Sequence, residues 1–235
     1  MTTHLPQVIR TYQSHVRDST RWQHYQPRPD DIIISTSYKS GTTWTQEIVR
    51  QLLFCGQDVP ERDDIGIGQL SPWIERRSAP LDAMLARLEA QQHRRSVKTH
   101  LALDGLHFFP QVKYIVVGRD ARDVAMSLWN HYRGQKDETF GPANSTSAQE
   151  HMPPPPADIH GFWQSWITQG VFPWESEGYP FWGNLHHTQS WWVFRHLPNI
   201  LFVHYSDLKS DLSGEIRIFR DSAGRRTVAS DSGSG

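Results

Sequence analysis

The chain has 235 residues, with 24 Lys and Arg against 25 Asp and Glu and a formal net charge of -1, a length that suits one α/β domain with a sizeable core. That balance excludes a global basic field for nucleic acid, so any anion site has to be local. The single cysteine, Cys55, excludes an internal disulfide and fits a reducing, cytoplasmic setting, and no apolar run is long enough for a signal peptide or a stable membrane insertion.

In chain order, Leu5, Val8, Ile9, Tyr12 and Val16 recur at helical spacing and predict an amphipathic helix within residues 5–25. A turn at Pro27 to Asp31 then feeds the β-branched run Ile32-Ile33-Ile34, which reads as a buried strand. The run stops at Ser35 to Thr43, and Trp44, Ile48 and Leu52, with Val49 and Leu53 beside them, start a helix. A strand, tight turn and helix aim backbone N–H groups and a helix dipole at one spot, which makes an anion site. Gly41 permits close approach, Lys39 adds a charge, and Thr42 and Thr43 add hydroxyls. Cys55 reads as a small core filler behind that helix.

Residues 56–80 predict a surface loop over the site. Leu81, Met84, Leu85 and Leu88 predict a helix. Strands are expected at 95–100 and 112–117, the second followed by a helix carrying Ala121, Val124, Ala125 and Leu128. A further strand at 199–204 closes on Tyr205. Residues 133–160, with the run Pro153 to Pro156, read as a long irregular insertion and a flexible cap. The pattern predicts a three-layer α/β fold with a central parallel sheet flanked by helices. Its polar strand ends, Lys39 to Thr43, Lys98 to His100 and Arg119 to Asp123, should then meet at one edge.

The spacing is not that of a nucleoside-triphosphate P-loop, because Lys39 precedes the only Gly of the loop instead of following a second one. Lys39-Ser40-Gly41-Thr42-Thr43-Trp44 resembles instead the 5′-phosphosulfate loop of the cytosolic-type sulfotransferases, here as a bacterial member, which use 3′-phosphoadenosine 5′-phosphosulfate (PAPS). Ser37-Tyr38 stand where that family has Tyr-Pro. Lys98-Thr99-His100 resembles the family's catalytic segment, and Arg119 to Ser127 its 3′-phosphate segment. The resemblance spans roughly residues 25–210. It implies that His100 takes the acceptor's hydroxyl proton while Lys39 and Lys98 stabilise the transferring group. Lys39, Ser40, Gly41, Thr42, Thr43, Trp44, Arg119, Ser127 and Tyr205 would then bind PAPS. The implied fold is P-loop-like, and no metal is implied. The acceptor would be a small-molecule hydroxyl compound (a lipophilic alcohol, phenol or glycolipid) in a pocket built from Trp73, Phe108, Phe109 and the Trp-rich stretch from Trp163 to Trp182. The oligomeric state stays open.

The family's Gly-rich C-terminal segment has no counterpart here. Residues 1–219 are expected to form the domain and 220–235 a polar, disordered tail. Read one base later, one allowed codon set for Arg220 to Thr227 encodes Gly-Ile-Pro-Leu-Asp-Glu-Glu, so a truncation or frameshift near Phe219 is the expectation. Weak PAPS binding and an uncovered core face between Leu208 and Phe219 would follow. Two other readings stay open: a different P-loop-like nucleotide enzyme such as a small-molecule kinase, and an inactive fragment that keeps the fold. His186-His187 lacks partners at zinc spacing.

Overall fold

Every residue of Ile32–Thr36 (β1) is buried, as expected of a strand covered on both faces. In the computed structural model, which describes residues 4–55, 66–136, 139–140 and 149–224, β1 is central. It pairs in parallel with Ser96–Thr99 (β2) on one side and Lys113–Gly118 (β3) on the other, and β3 pairs in parallel with Ile200–His204 (β4), giving the order β2-β1-β3-β4.

Strand alternation sorts the core into two layers. Ile32 and Ile34 face one side with Ile115, Val117 and Val203. There they meet Ile48 and Val49 of Thr42–Leu53 (α1). Ile33, Val97, Tyr114 and Val116 face the other side with Met84, Leu88 and Trp191. Among the described residues, the α-helices after α1 are Ile67–Leu70 (α2), Leu81–Ala90 (α3), Ala121–Arg133 (α4), Ile159–Thr168 (α5), Asn184–Trp192 (α6), Tyr205–Ser210 (α7) and Leu212–Gly224 (α8). A third cluster joins Val124, Leu128 and Trp129 of α4 to Phe162 and Trp166 of α5, with Phe181 and Trp182. The tryptophans of that stretch thus build a wall beside the sheet's carboxyl edge.

Four expectations are corrected. The N-terminal segment is not an α-helix: the amides of Ile9 and Arg10 both donate to the Asp104 carbonyl, at 2.9 and 3.1 Å. With its backbone bonded to a distant loop, the segment runs without helix to Gln13, turns back on itself so that Gln13 pairs antiparallel with Asp18, and enters a 3₁₀ turn at Ser19–His24; of its apolar residues Leu5, Val8 and Ile9 are exposed. The described part of 56–80 is surface loop only at its ends, and its middle is core. Leu70, Ile74 and Glu75 are buried, and Lys98 of β2 donates its amide to the Pro72 carbonyl at 2.9 Å, so this segment covers what would be an open sheet edge. Cys55 is exposed, because Phe54 takes the core position at the end of α1. The proline run is anchored: the Tyr132 hydroxyl donates to the Pro153 and Pro154 carbonyls at 2.6 and 2.9 Å.

At the other end of the chain, α8 continues past Phe219 to Gly224, and residues 225–235 lie outside the described residues. Leu208 and Phe219 are fully buried against β1 and β3. A groove of about 250 Å³ beside Phe219, lined by Leu52, Leu53 and Cys55, stays open on that face.

The sheet is pinned opposite the site by a buried ion pair. Arg95 Nε donates to Asp31 Oδ1 at 3.0 Å, the Tyr25 hydroxyl donates to Asp31 Oδ2 at 2.6 Å, and the two charged side chains are 0% and 2% exposed. Removing Asp31 leaves the buried Arg95 with only an exposed carboxylate, Glu89, as a charged partner, which costs about 3–5 kcal/mol. Asp31→Ala should therefore lower the melting temperature by about 10 °C. Glu89→Ala, which removes Arg95's exposed partner, should cost under about 1 kcal/mol. Equal shifts for the two variants in a calorimetric melt would contradict this ranking.

Candidate active site

Beyond Thr36 the backbone reverses within five residues to start α1. Lys39 at φ 65° and Gly41 at φ 104° both lie in the left-handed region, which glycine enters freely and a residue with a β-carbon does not. A β-carbon on Gly41 would also stand 2.8 Å from the Tyr205 ring. Lys39 bears a cost on the order of 1–3 kcal/mol to hold its place. The helix that follows has no side-chain cap, so its leading N–H groups are left to a ligand.

These groups open on a cleft of about 390 Å³ at the carboxyl edge of the sheet. Lys39, Gly41, Thr42, Thr43 and Trp44 line it from the loop and the start of α1, Lys98 and His100 from the end of β2, Arg119 and Ser127 from the turn after β3 and the middle of α4, and Tyr205 from the end of β4. Four separate segments thus supply one site. Ser40 is the exception among the expected ligands: it is fully buried, and its hydroxyl lies 2.6 Å from that of Ser37, so it braces the turn. Among the described residues, the ionised side chains lining the cleft are Lys39, Lys98 and Arg119, and the exposed Asp123 carboxylate lies 3.7 Å from Arg119 Nη2.

Arg119 donates through Nη1 to the Lys39 carbonyl at 3.0 Å, and its guanidinium sits 4.4 Å from the Tyr205 ring centre. Its Nε is buried without a hydrogen-bond partner. The Trp44 and Tyr205 rings meet edge to face at 5.5 Å, with Trp44 part-exposed at the rim. A bulky dianion with an attached aromatic group fits this donor set.

His100 is 3% exposed. Its Nδ1 lies 2.8 Å from the Thr36 carbonyl, and a carbonyl only accepts, so Nδ1 carries the proton and Nε2 keeps a free lone pair. Burial, followed by the charge on Lys98, drives its pKa down to about 3, so the ring is neutral at ordinary pH. Burial also lowers the pKa of Lys98. Glu75, fully buried, accepts from the His100 amide at 2.8 Å and the Thr99 hydroxyl at 2.9 Å. This holds the strand end that carries the imidazole.

A second cavity, of about 420 Å³, shares Tyr38, Lys98 and His100 with the cleft and extends to Trp73, Phe181 and Trp182. Trp73 and the Phe181–Trp182 end of the Trp-rich stretch thus line it as expected. Phe108 and Phe109 do not: they pack on the core at Tyr114 and Tyr25. Trp163 stacks on Trp166 away from the cavity. Tyr38, Arg76 and His131 line it without having been anticipated. The one sequence signal for them was Tyr38 itself, standing where a proline was expected. His186 and His187 are both engaged, His186 with Asp104 at 3.0 Å and His187 with the Ser35 hydroxyl at 3.0 Å.

The chain matches the sulfotransferase domain family over residues 29–226. It is 37% identical over 221 residues to a glycolipid sulfotransferase of Mycobacterium bovis, covering 87% of this chain and 66% of that protein. It is 29% identical over 199 residues to human sulfotransferase 1C2, covering 83% and 59%. Among solved structures, mouse sulfotransferase SULT7A1 complexed with PAP superposes with a TM-score of 0.63 at 20% identity, over 88% of this chain and 62% of the mouse chain. At that identity the likeness is one of fold.

His187 is buried and neutral like His100, and burial likewise lowers its pKa to about 3. A histidine in an unfolded chain titrates near 6.5. The stabilisation from burying each ring neutral is therefore complete above about pH 6.5 and is lost as pH falls toward 3. Each contributes a slope of about 1.4 kcal/mol per pH unit in that window. In urea unfolding at pH 7, 6, 5 and 4, His187→Asn should flatten the acid slope by one proton's worth. Parallel slopes for the variant and the native chain would refute the assignment.

Proposed function

The chain belongs to the sulfotransferase domain family, and from that premise we propose that it transfers a sulfuryl group from PAPS to the hydroxyl of a small-molecule alcohol, phenol or glycolipid. The observation that carries this reading is the position of His100. Its neutral ring, with Nε2 free, stands where a cationic cleft meets an aromatic cavity. This position supports a proton acceptor standing between a polyanionic donor in the cleft and an apolar acceptor in the cavity.

Each residue then has a chemical task. Lys39 and the N–H groups opening α1 hold the 5′-phosphosulfate. Arg119 and Ser127, which line the cleft together, hold the 3′-phosphate, and Trp44 offers a ring to the adenine. The bound donor supplies a sulfuryl group joined through a bridging oxygen to phosphate. His100 Nε2 takes the proton of the acceptor hydroxyl as that oxygen forms its bond to sulfur. The bond from sulfur to the bridging oxygen breaks, and its electron pair stays on the phosphate. Lys39 and Lys98 stabilise the charge that grows there, and they act strongly because the site is partly desolvated. The rest is positioning: two reactants held on either side of one ring. A depressed pKa makes His100 a weak base in isolation, but transfer to the ring gains strength as the acceptor oxygen's charge is spent on sulfur.

The reading is tested by pairing turnover with nucleotide binding. His100→Ala should abolish sulfate transfer to a phenol panel while leaving adenosine 3′,5′-bisphosphate binding, measured by titration calorimetry, within about twofold. Arg119→Ala should weaken that binding on the order of 10- to 100-fold, the equivalent of one charge-assisted hydrogen bond. Near-normal turnover in the His100 variant would remove it as the base.

A further inference from the structure

Tyr38 lies at the junction of the two cavities and lines both. Its ring is fixed on three sides: stacked with Phe181 at 5.7 Å, tilted on Trp182 at 4.9 Å and edge-on to His100 at 5.4 Å. Its hydroxyl lies 3.1 Å from His131 Nε2 on α4. The Gln135 side-chain nitrogen lies 2.8 Å from that same Nε2. An amide nitrogen only donates, so Nε2 accepts, and the His131 proton resides on Nδ1. With no proton on Nε2, the Tyr38 hydroxyl meets His131 only as a donor, sharing that one lone pair with Gln135. What remains on its oxygen is acceptor capacity, in a cavity where His100 Nε2 is also an acceptor.

We propose that Tyr38, oriented by His131, determines acceptor specificity by receiving a second hydroxyl of the substrate, so that the site selects a polyol of carbohydrate type over a lone phenol or simple alcohol. The inference rests on the acceptor reading of this cavity given above. Two acceptor atoms in one cavity match two O–H donors on one molecule. A simple alcohol has one such group and leaves the Tyr38 oxygen unsatisfied in a partly desolvated site. The indole faces of Trp73 and Trp182 suit the C–H face of a sugar ring, whose hydroxyls project from its edge. His131 acts through Tyr38 and is a positioning residue.

The test compares hexyl glucoside with 1-hexanol, which carries the same alkyl chain without the sugar. Binding is read from tryptophan fluorescence, which Trp73 and Trp182 supply inside the cavity, and transfer from PAPS is read separately by chromatography of adenosine 3′,5′-bisphosphate. The native chain should bind the glucoside at least about fivefold more tightly than the alcohol. Tyr38→Phe keeps the ring and its stacking and removes only the oxygen. It should bring the two affinities within about twofold, and His131→Leu should move the ratio the same way. An absent preference in the native chain, or one that survives in Tyr38→Phe, overturns the proposal. If the preference is present and lost in the variant but neither compound is sulfated, the polyol subsite stands and the transfer reading falls. If transfer occurs with an unchanged ratio, the reverse holds.

Discussion

The hydrogen bond from His100 Nδ1 to the Thr36 carbonyl ties two strand ends together, and the arrangement of the site depends on it. It exists because β1 and β2 are parallel and in a register that sets Ser35 beside Thr99, so each strand's next residue emerges at the same height. The bond fixes which imidazole nitrogen is free. It also places the imidazole next to the loop that begins one residue after Thr36. A shift of one residue in that register would turn every side chain of β2 to the opposite face, separating the imidazole from the cationic loop.

The polar burial behind the site follows from the same geometry. Glu75 sits in the interior and is held there by three donors: the Trp22 indole, the Thr99 hydroxyl and the His100 amide. Burial raises its pKa, and the bonds work against that rise, which is how a carboxyl group can persist in a core. Arg17, also buried, lies 4.4 Å from the Trp182 ring centre and about 5 Å from those of Tyr12 and Phe172. It backs the aromatic wall with a cation rather than with packing carbon. The N-terminal segment, whose exposed apolar residues contribute little to the core, is needed for this contact.

What was legible from the residues alone were the features with strong local causes. Ile32 to Ile34 could be read as a buried strand because no water-facing residue interrupts the run. Lys39 to Trp44 could be read as an anion loop because glycine, lysine and two threonines stand where a strand meets a helix. His100, Arg119 and Ser127 followed from strand ends and from resemblance. What was not legible depended on distant contacts. The helical spacing from Leu5 to Val16 was overridden by Asp104, nearly a hundred residues away. Residues 70–75 have the composition of a loop, yet they are buried because β2 has a bare edge for them to cover. Phe108 and Phe109 follow His100 closely in sequence, but the chain turns between them and carries both rings to the opposite core. Tyr38 was visible as a departure from a pattern, and only its neighbours in space, His131 and Trp182, give that departure a physical meaning.

The cationic cleft has a kinetic consequence, because the chain as a whole is nearly neutral, with a net charge of -1. Lys39, Lys98 and Arg119 lie on one concave surface, so their field is felt only near its mouth, within a screening length of about 8 Å at physiological ionic strength. A polyanion approaching from elsewhere gains little guidance. One that reaches the mouth is drawn in by these three charges, of which that of Arg119 is partly offset by Asp123 at 3.7 Å. Added salt should therefore act chiefly on the rate of capture.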